Sequence, residues 1–207
     1  MMMELLNSPT NALNEYLSTH FHEFSLKKIW EIYDSIMKKE GVESAYRWTS
    51  FAFLGWDKEK LSEKAKEIWF ESINSKKIQI QPEIQNLCSL FKEYSWTVYI
   101  VTASPTLIIE PLASIFHVLP KRVLGMNLKL INGKTTPEII EPYTYGNGKV
   151  HALKNEHVHE VLLAFGDSRN DLPLLKYAKN GILFDRGDEA LKRDCESLGI
   201  QIQPFFV

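Results

Sequence analysis

The most constraining stretch of the chain is Val161 to Asp171, in which the apolar run VLLAF leads through Gly166 into the polar cluster DSRND. A short apolar run followed by Gly and polar residues predicts a buried strand that ends in a functional loop. Because ligands of open parallel sheets bind at the carboxyl ends of strands, Asp167 and Asp171 are predicted to face a site there. The alternative is a strand and a turn in which an Asp or Ser only caps the next helix, but a cap needs one such residue and here two aspartates lie four positions apart.

The composition bounds the classes of function. The 207 residues are 44% hydrophobic and 12% aromatic, which predicts one sizeable core plus a smaller lobe. A net charge of −2 with interspersed signs gives no basis for a nucleic-acid surface, so the expected partner is a small molecule. No membrane span or signal peptide is visible, and two distant cysteines, Cys88 and Cys195, fit reduced thiols. We therefore expect a cytoplasmic protein that binds neither nucleic acid nor membrane.

The order of elements predicts the fold class. Residues 11–80 have helical spacing of apolar residues, and from Pro82 onward strands alternate with helices. This alternation predicts βαβ units and a mainly parallel sheet. The predicted class is α/β, with a Rossmann-like parallel core over residues 81–207, a helical lobe over residues 11–80, and at most a stub of strand within residues 1–10.

Several strands of the core can be placed. Thr97–Val101, TVYIV, is β-branched and apolar throughout, which predicts a strand buried on both faces. The pair Asn132–Gly133 predicts the turn of a hairpin between Met126 and Ile140. A helix is expected over Leu107–Phe116, and an edge strand over Ile200–Ile202.

Polar side chains collect at the predicted carboxyl ends of two strands. Thr102 and Ser104 end the first, Asp167 and Asp171 end the second, and Lys149 follows a glycine-spaced loop between them. Oxygen ligands hold Mg²⁺, whereas an ammonium group and backbone N–H groups hold phosphate. A metal and a lysine would together stabilise charge on a phosphoryl group during transfer.

Three segments carry a resemblance to a known family. VYIVTASP, YGNGKV and FGDSRNDLPLL, in this order, resemble the second motif, the lysine motif and the acidic fourth motif of the haloacid dehalogenase (HAD) superfamily of phosphohydrolases. The resemblance covers about residues 40–185 and is to the phosphoserine-phosphatase-like and phosphocholine-phosphatase-like branch, which has a helical cap. It implies an Mg²⁺-dependent phosphatase that acts on a small phosphorylated substrate, with residues 11–80 as the cap.

The resemblance also implies a role for each matching residue. Thr102 would bind the transferring phosphoryl group, Lys149 would neutralise it, and Asp167 would ligate Mg²⁺. Asp171 would ligate the metal through water or orient Lys149. Weaker contacts to the substrate are implied for three further residues, Ala103, Ser104 and Asn170. Other interpretations stay open: a buried β-branched residue for Thr102, a solvated lysine for Lys149 and a helix cap for Asp171.

One motif of the family does not occur. The printed residues contain no Asp-x-Asp pair, and the first aspartate is Asp34. In the family this first motif ends the central strand and supplies the attacking Asp. The first central strand is therefore expected to be missing, or reduced to the stub Met1–Leu6. Asp57 is rejected as a substitute, because FLGWDKEKL resembles a turn and helix inside the cap.

A missing central strand would expose unpaired backbone and apolar surface, so something is expected to fill its place. The sequence allows a segment encoded upstream of Met1, the stub itself, or a strand exchanged between the subunits of a homodimer. Two functions follow. One is an Mg²⁺-dependent phosphomonoesterase whose attacking Asp is encoded upstream of Met1. The other is a catalytically inactive phosphate-binding or regulatory protein on the same scaffold.

Overall fold

The computed structural model describes residues 26–204. Three parts of the chain lie outside the described residues: the stub Met1–Leu6, the helical pattern before Leu26 and the terminal residues 205–207. The boundary predicted at residue 10 also lies outside them. The boundary predicted at residue 80 falls between two helices, and the division into cap and core stays a prediction.

The helical lobe follows local capping chemistry. Its elements are α1 (Leu26–Glu40), α2 (Val42–Trp48), a 3-10 turn (Thr49–Phe53) and α3 (Lys58–Asn74). Gly41 lies between α1 and α2 with φ of 92°, a conformation that favours glycine. The Asp57 carboxylate accepts the backbone N–H of Lys60 at 3.1 Å and caps α3. The predicted helix start after Asp57 is confirmed.

The core that follows alternates strands with helices, as predicted. Its elements are α4 (Pro82–Glu93), β1 (Ile100–Pro105), α5 (Thr106–Ile109), a 3-10 turn (Glu110–Phe116), β2 (Val123–Ile131), β3 (Lys134–Ile140), α6 (Asn147–Asn155), β4 (Leu163–Gly166), α7 (Leu172–Tyr177), β5 (Asn180–Asp185), α8 (Glu189–Ser197) and β6 (Gln201–Pro204). The fold class is therefore α/β. Within residues 26–204, none of the helices has the length and apolar character needed to cross a membrane.

The strands form two separate three-stranded sheets, β1–β2–β3 and β4–β5–β6. Strand β1 is parallel to β2, and β2 is antiparallel to β3. The second sheet is parallel throughout, with β6 at its edge. Among residues 26–204, no strand pairs with the other edge of β1 or with the other edge of β4. This break falls where the sequence predicts that the first central strand is missing.

A cleft of about 680 Å³ separates β1 from β4. We call it the interstrand cleft. The residues that line it come from the approach to β1 and Val101 in that strand, from the segment between α6 and β4, and from β4 itself, with one residue each from α4, α6 and α7. They include Val98, Tyr99, Val101, Leu153, Val161, Leu162, Leu163, Phe165 and Leu174. Tyr99 and Val101 also pack against the core cluster that contains Leu153 and Ala164, and this packing joins the two sheets.

Two predicted elements are wrong in detail. The first strand runs from Ile100 to Pro105 rather than from Thr97 to Val101, and it is half-buried rather than buried on both faces. The reason is the interstrand cleft, since without a neighbour in the described residues the segment before Ile100 forms no ladder. The helix expected over Leu107–Phe116 is short and becomes a 3-10 turn at Glu110, beside Pro111, which has no N–H.

The predicted hairpin is confirmed as β2 and β3, and it fastens the helical lobe to the core. Its turn residues, Asn132 and Gly133, have φ of 51° and 76°. The N–H of Thr135 donates to the Trp56 carbonyl at 2.8 Å, and the Ser50 hydroxyl donates to the Pro137 carbonyl at 2.9 Å. The lobe is thus hydrogen-bonded to the hairpin at several points.

We expect Thr135→Val to lower the free energy of unfolding by about 0.5–1.5 kcal/mol, because it removes the hydrogen bonds of a buried hydroxyl while its two acceptors keep backbone donors. The buried Thr135 hydroxyl donates to the Trp56 carbonyl at 3.1 Å and also to the Phe53 carbonyl. Thr136→Val is the matched control, because it removes the hydrogen bond of an exposed hydroxyl, the one from Thr136 to the Lys129 carbonyl at 2.9 Å. Urea unfolding measures the free energy of unfolding of both variants. An equal loss in the two would contradict the role assigned to the buried Thr135 hydroxyl.

Candidate active site

Lys149 and Asp171 form a buried ion pair. Lys149 lies in the first turn of α6, and its ammonium group donates to Oδ1 of Asp171. Only 6% of the Lys149 side chain and 9% of the Asp171 side chain are exposed. Lys149 is therefore not the solvated helix-start lysine that the sequence also allowed.

The second oxygen of Asp171 organises the turn after β4. Oδ2 accepts the Ser168 hydroxyl at 2.6 Å, the Ser168 N–H at 3.1 Å and the Asp167 N–H at 3.2 Å. Ser168 and Asp171 also form a reciprocal capping box. With the bond from Lys149, these donors use about the four lone-pair positions that a carboxylate offers. This geometry supports the helix-cap interpretation of Asp171 and its predicted orientation of Lys149.

Gly166 lets this turn close tightly. A Cβ atom at position 166 would lie 2.4 Å from the Cβ of Asp171 and 2.9 Å from its Cγ, well inside van der Waals contact. The glycine that ends β4 therefore brings Asp171 directly against the strand. The sequence placed this glycine in the motif without showing what it contacts.

Asp167 and Asn170 flank Ser168 in this turn, and the Asp167 side chain is partly exposed. Oδ2 of Asp167 is 3.2 Å from Nη1 of Arg186, and 42% of the Asp167 side chain is exposed. The Asn170 amide donates to the Ser168 hydroxyl at 2.9 Å. The Asn170 carbonyl oxygen is buried and has no hydrogen-bond partner within residues 26–204, which is unusual for a buried polar atom.

Thr102 is hydrogen-bonded to the loop that precedes α6, the helix of Lys149. Its carbonyl accepts the hydroxyl of the buried Thr144 at 2.5 Å, and its hydroxyl accepts the Ser104 N–H at 3.1 Å. Ala103 is buried, and the Ser104 carbonyl lies so close to Gly125 of β2 that a Cβ atom there would be 2.6 Å away. Lys149, Asp167 and Asn170 thus form one hydrogen-bonded group with Ser168 and Asp171. The segment Thr102–Ser104 is a separate group, which bonds to Thr144 in the loop before α6.

The sequence did not assign roles to three residues of these two groups. Ser168 and Thr144 hold Asp171 and Thr102, and Arg186 pairs with Asp167. Ser168 stands between the two aspartates of the motif, which is a usable signal for a capping role. Thr144 and Arg186 lie on other elements, and no local pattern marks them.

Tyrosine rings connect this part of the core to the helical lobe. Tyr145 stacks on Tyr143 with centroids 5.9 Å apart and contacts Tyr46 of α2 at 5.8 Å. Burial raises the pKa of Tyr145, and the nearby Asp171 carboxylate acts in the same direction. In the helical lobe, Trp48 and Phe51 lie in the lobe's own core.

The oxygen donors of the turn after β4 fit an Mg²⁺ ion that has few protein ligands. The described residues contain no group of three or more His, Cys, Asp or Glu side chains that could hold a metal ion. Mg²⁺, however, commonly binds one or two carboxylates and completes its shell with waters and substrate phosphate. Asp167 supplies an accessible carboxylate, and the partnerless carbonyl of Asn170 is a second oxygen donor in the same turn.

The parallel strands with helices between them and the helical lobe define an α/β fold that carries a buried lysine–aspartate pair at the carboxyl end of β4. Residues 7–176 match the family model of haloacid dehalogenase-like hydrolases. Because the match covers more than half of the 207 residues, the chain belongs to this family. The resemblance of the three sequence motifs is confirmed.

Solved structures show the same fold at low sequence identity. A protein of unknown function from Bordetella pertussis Tohama I has a TM-score of 0.74 and 15% identity, over 94% of this chain and 90% of that one. A probable phosphoserine phosphatase from Vibrio cholerae has a TM-score of 0.61 and 15% identity, over 99% of this chain and 57% of that one. A HAD family hydrolase from Salmonella enterica serovar Typhi has a TM-score of 0.60 and 14% identity, over 91% and 62%. No curated protein matches the chain significantly.

Proposed function

We propose that this chain carries the phosphate- and metal-binding half of an Mg²⁺-dependent phosphatase site that acts on a small phosphomonoester. The observation that carries the proposal is the buried Lys149, which Asp171 holds at the carboxyl end of β4. A buried ammonium group fixed by a carboxylate is suited to neutralising an anionic group bound beside it. The family match and the likeness to a phosphoserine phosphatase fold support the same class of reaction.

Each residue has a proposed role. Lys149 neutralises the phosphoryl oxygens, and Thr102 binds the same group through its hydroxyl. Mg²⁺ held by Asp167 would polarise a phosphoryl oxygen. Asp171 positions Lys149, and a bond to the metal through water would replace one of the four donors that its carboxylate accepts here. Three residues are proposed to make further contacts with the substrate: Ala103, Ser104 and Asn170.

The attacking group is a separate matter. The printed residues contain no Asp-x-Asp pair, so we propose that this chain alone binds the phosphomonoester without turning it over. A second candidate function is an inactive phosphate-binding or regulatory protein, and the break between β1 and β4 favours it. A homodimer with an exchanged strand and a location in the reducing cytoplasm, suited to the free Cys88 and Cys195, remain part of the proposal.

Calorimetric titration with inorganic phosphate tests the site. We expect saturable binding that requires Mg²⁺ and that weakens at least tenfold in Asp167→Asn. Glu138→Gln is the matched control, because its side chain is 63% exposed and pairs with Lys129 on the hairpin, outside the turn after β4. We expect no change in this control. Phosphate affinity that is the same with and without Mg²⁺, or that survives Asp167→Asn, would refute the metal assignment.

A further inference from the structure

We propose that a second cavity, at the amino ends of β1 and β2, binds a small organic anion that carries two or more separated charged groups. The cavity has a volume of about 230 Å³ and lies between the end of α4, the segment before β1 and the turns before β2. We call it the basic cavity. This binding site goes beyond the proposed phosphatase function and does not depend on it.

The basic cavity is separate from the candidate active site. Strands β1 and β2 are parallel, and Ile100 pairs with Val123. Val98 and Arg122, which line the cavity, come just before these two residues, so the cavity lies at the amino ends of both strands. At about 3.3 Å per residue, Thr102 lies roughly 13 Å along the chain from Val98. A small ligand in the cavity therefore does not reach the candidate active site.

Three basic side chains from different elements line the cavity. Lys92 comes from the last turn of α4, His117 follows the 3-10 turn after α5, and Arg122 directly precedes β2. Among residues 26–204, no Asp or Glu lines the cavity, and neither Lys92 nor Arg122 forms an ion pair. Residues 96–98 also line the interstrand cleft, but the three basic residues do not. Such a concentration of positive charge favours an anionic ligand.

Lys92 is not needed to cap α4. The last carbonyl groups of the helix accept backbone N–H groups from the chain that follows: Ser95 donates to Lys92 at 3.0 Å, and Trp96 donates to Phe91 at 2.8 Å. A lysine near a helix end often makes these bonds itself. Here its ammonium group offsets the partial negative charge of the helix end and stays available to a ligand.

Two polar residues of the cavity are held in fixed positions. The Ser89 hydroxyl donates its one hydrogen to the Gln85 carbonyl at 2.9 Å, so Nε2 of His117, 3.1 Å from the same hydroxyl, is the donor of that bond. His117 and Ser95 have φ of 56° and 59°, in the region that favours glycine. Polar side chains therefore line the cavity at a cost in backbone strain, which is typical of binding sites.

The size of the cavity indicates a ligand larger than a single oxyanion. About 230 Å³ corresponds to roughly eight water molecules at about 30 Å³ each. Arg122 can hold one carboxylate or phosphate group through two parallel N–H bonds, and Lys92 supplies a point charge on another element. Anionic groups separated within one molecule, as in a tricarboxylate or a bisphosphate, match this arrangement. Inorganic phosphate is expected to bind here only weakly, because it contacts part of the set.

Calorimetric titration in metal-free buffer tests the basic cavity, because the proposed active site requires Mg²⁺ to bind an anion. The probes are citrate and propane-1,3-bisphosphonate. Each is compared with an anion that has a single charged group, acetate or propylphosphonate, at constant ionic strength. We expect the better probe to bind saturably and at least tenfold more tightly than its counterpart. Its identity distinguishes a carboxylate ligand from a phosphate ligand.

Arg122→Gln and Lys121→Gln are a matched pair of variants. Both remove one positive charge from the turn Pro120–Arg122, but Lys121 is exposed and does not line the cavity. We expect Arg122→Gln to weaken binding of the better probe at least tenfold, and Lys121→Gln to change it less than about twofold. Lys92→Gln, at an exposed position, is the second test variant and is also expected to weaken binding. Circular dichroism checks that each variant is folded.

Three results would overturn the proposal. One is the lack of saturable binding of both probes in metal-free buffer. Another is equal affinity for each probe and its counterpart. The third is an equal effect of Arg122→Gln and Lys121→Gln, because binding would then depend on net charge and not on the cavity. None of these results bears on the proposed function, which the titration with phosphate and Mg²⁺ tests.

Discussion

Lys149→Ala is expected to lower the free energy of unfolding by about 3–5 kcal/mol, because it leaves the Asp171 carboxylate buried without its counter-ion. The remaining donors to Asp171, from Ser168 and Asp167, are neutral. They cannot replace the charge of the ammonium group. Urea unfolding followed by circular dichroism measures the loss.

A surface pair provides the control for this prediction. Arg169 and Asp194 also form a close ion pair, but their side chains are 53% and 49% exposed. Arg169→Ala is expected to cost less than about 1 kcal/mol, because solvent screens the pair. In the double variant Lys149→Met with Asp171→Asn, we expect part of the loss to be recovered, since no unpaired charge remains buried. Equal losses in Lys149→Ala and Arg169→Ala would show that the Lys149 pair is not buried as described.

Gly148→Ala is expected to have the second large effect, at or above the upper end of the roughly 1–3 kcal/mol typical of overpacking. A Cβ atom at this position would lie 1.6 Å from the Tyr143 carbonyl oxygen and 2.8 Å from its carbon. Both atoms belong to the backbone, so they cannot turn aside as a flexible side chain could. The start of α6 must therefore move, and Lys149 moves with it.

Gly133→Ala is the control, because its expected loss of stability comes from backbone conformation and not from a steric clash. Gly133 has φ of 76°, and nothing lies within 4 Å of the added Cβ atom. Its replacement is expected to cost about 1–2 kcal/mol from the left-handed conformation alone. Phosphate affinity is the second readout, since we expect it to fall in Gly148→Ala and to stay unchanged in Gly133→Ala. Unchanged stability and phosphate affinity in Gly148→Ala would contradict the packing of this turn.

Elements that depend on local chemistry could be predicted from the sequence. The Asp57 carboxylate caps α3, Pro82 begins α4, and Asn132 with Gly133 makes the hairpin turn. In each case the effect is local: the Asp57 carboxylate accepts a backbone N–H three residues on, Pro82 lacks an N–H where a helix needs none, and Asn132 and Gly133 adopt the positive φ of the turn. Such effects need no knowledge of the tertiary structure.

Features that depend on distant neighbours could not be predicted. The shift of the first strand to Ile100–Pro105 reflects its ladder with β2 and the lack of a partner strand on its other edge among residues 26–204. The bonds of Thr144 to Thr102 and of Arg186 to Asp167 join elements far apart in the chain. For Lys149 and Asp171, the resemblance to the family indicated the pairing, and the structure added its burial and the donors from Ser168.

Among residues 26–204, the break between β1 and β4 lies where the sequence analysis expects the strand of the Asp-x-Asp motif. Under the proposed function, a segment that supplied this strand would also supply the attacking carboxylate.

The most direct test of this account is turnover of p-nitrophenyl phosphate by this chain alone in the presence of Mg²⁺. The account predicts phosphate binding but no release of nitrophenolate above the rate in buffer, because the printed residues contain no Asp-x-Asp pair, the motif that supplies the attacking carboxylate in the family. Turnover that is present in the wild-type chain and lost in Asp167→Ala would contradict it.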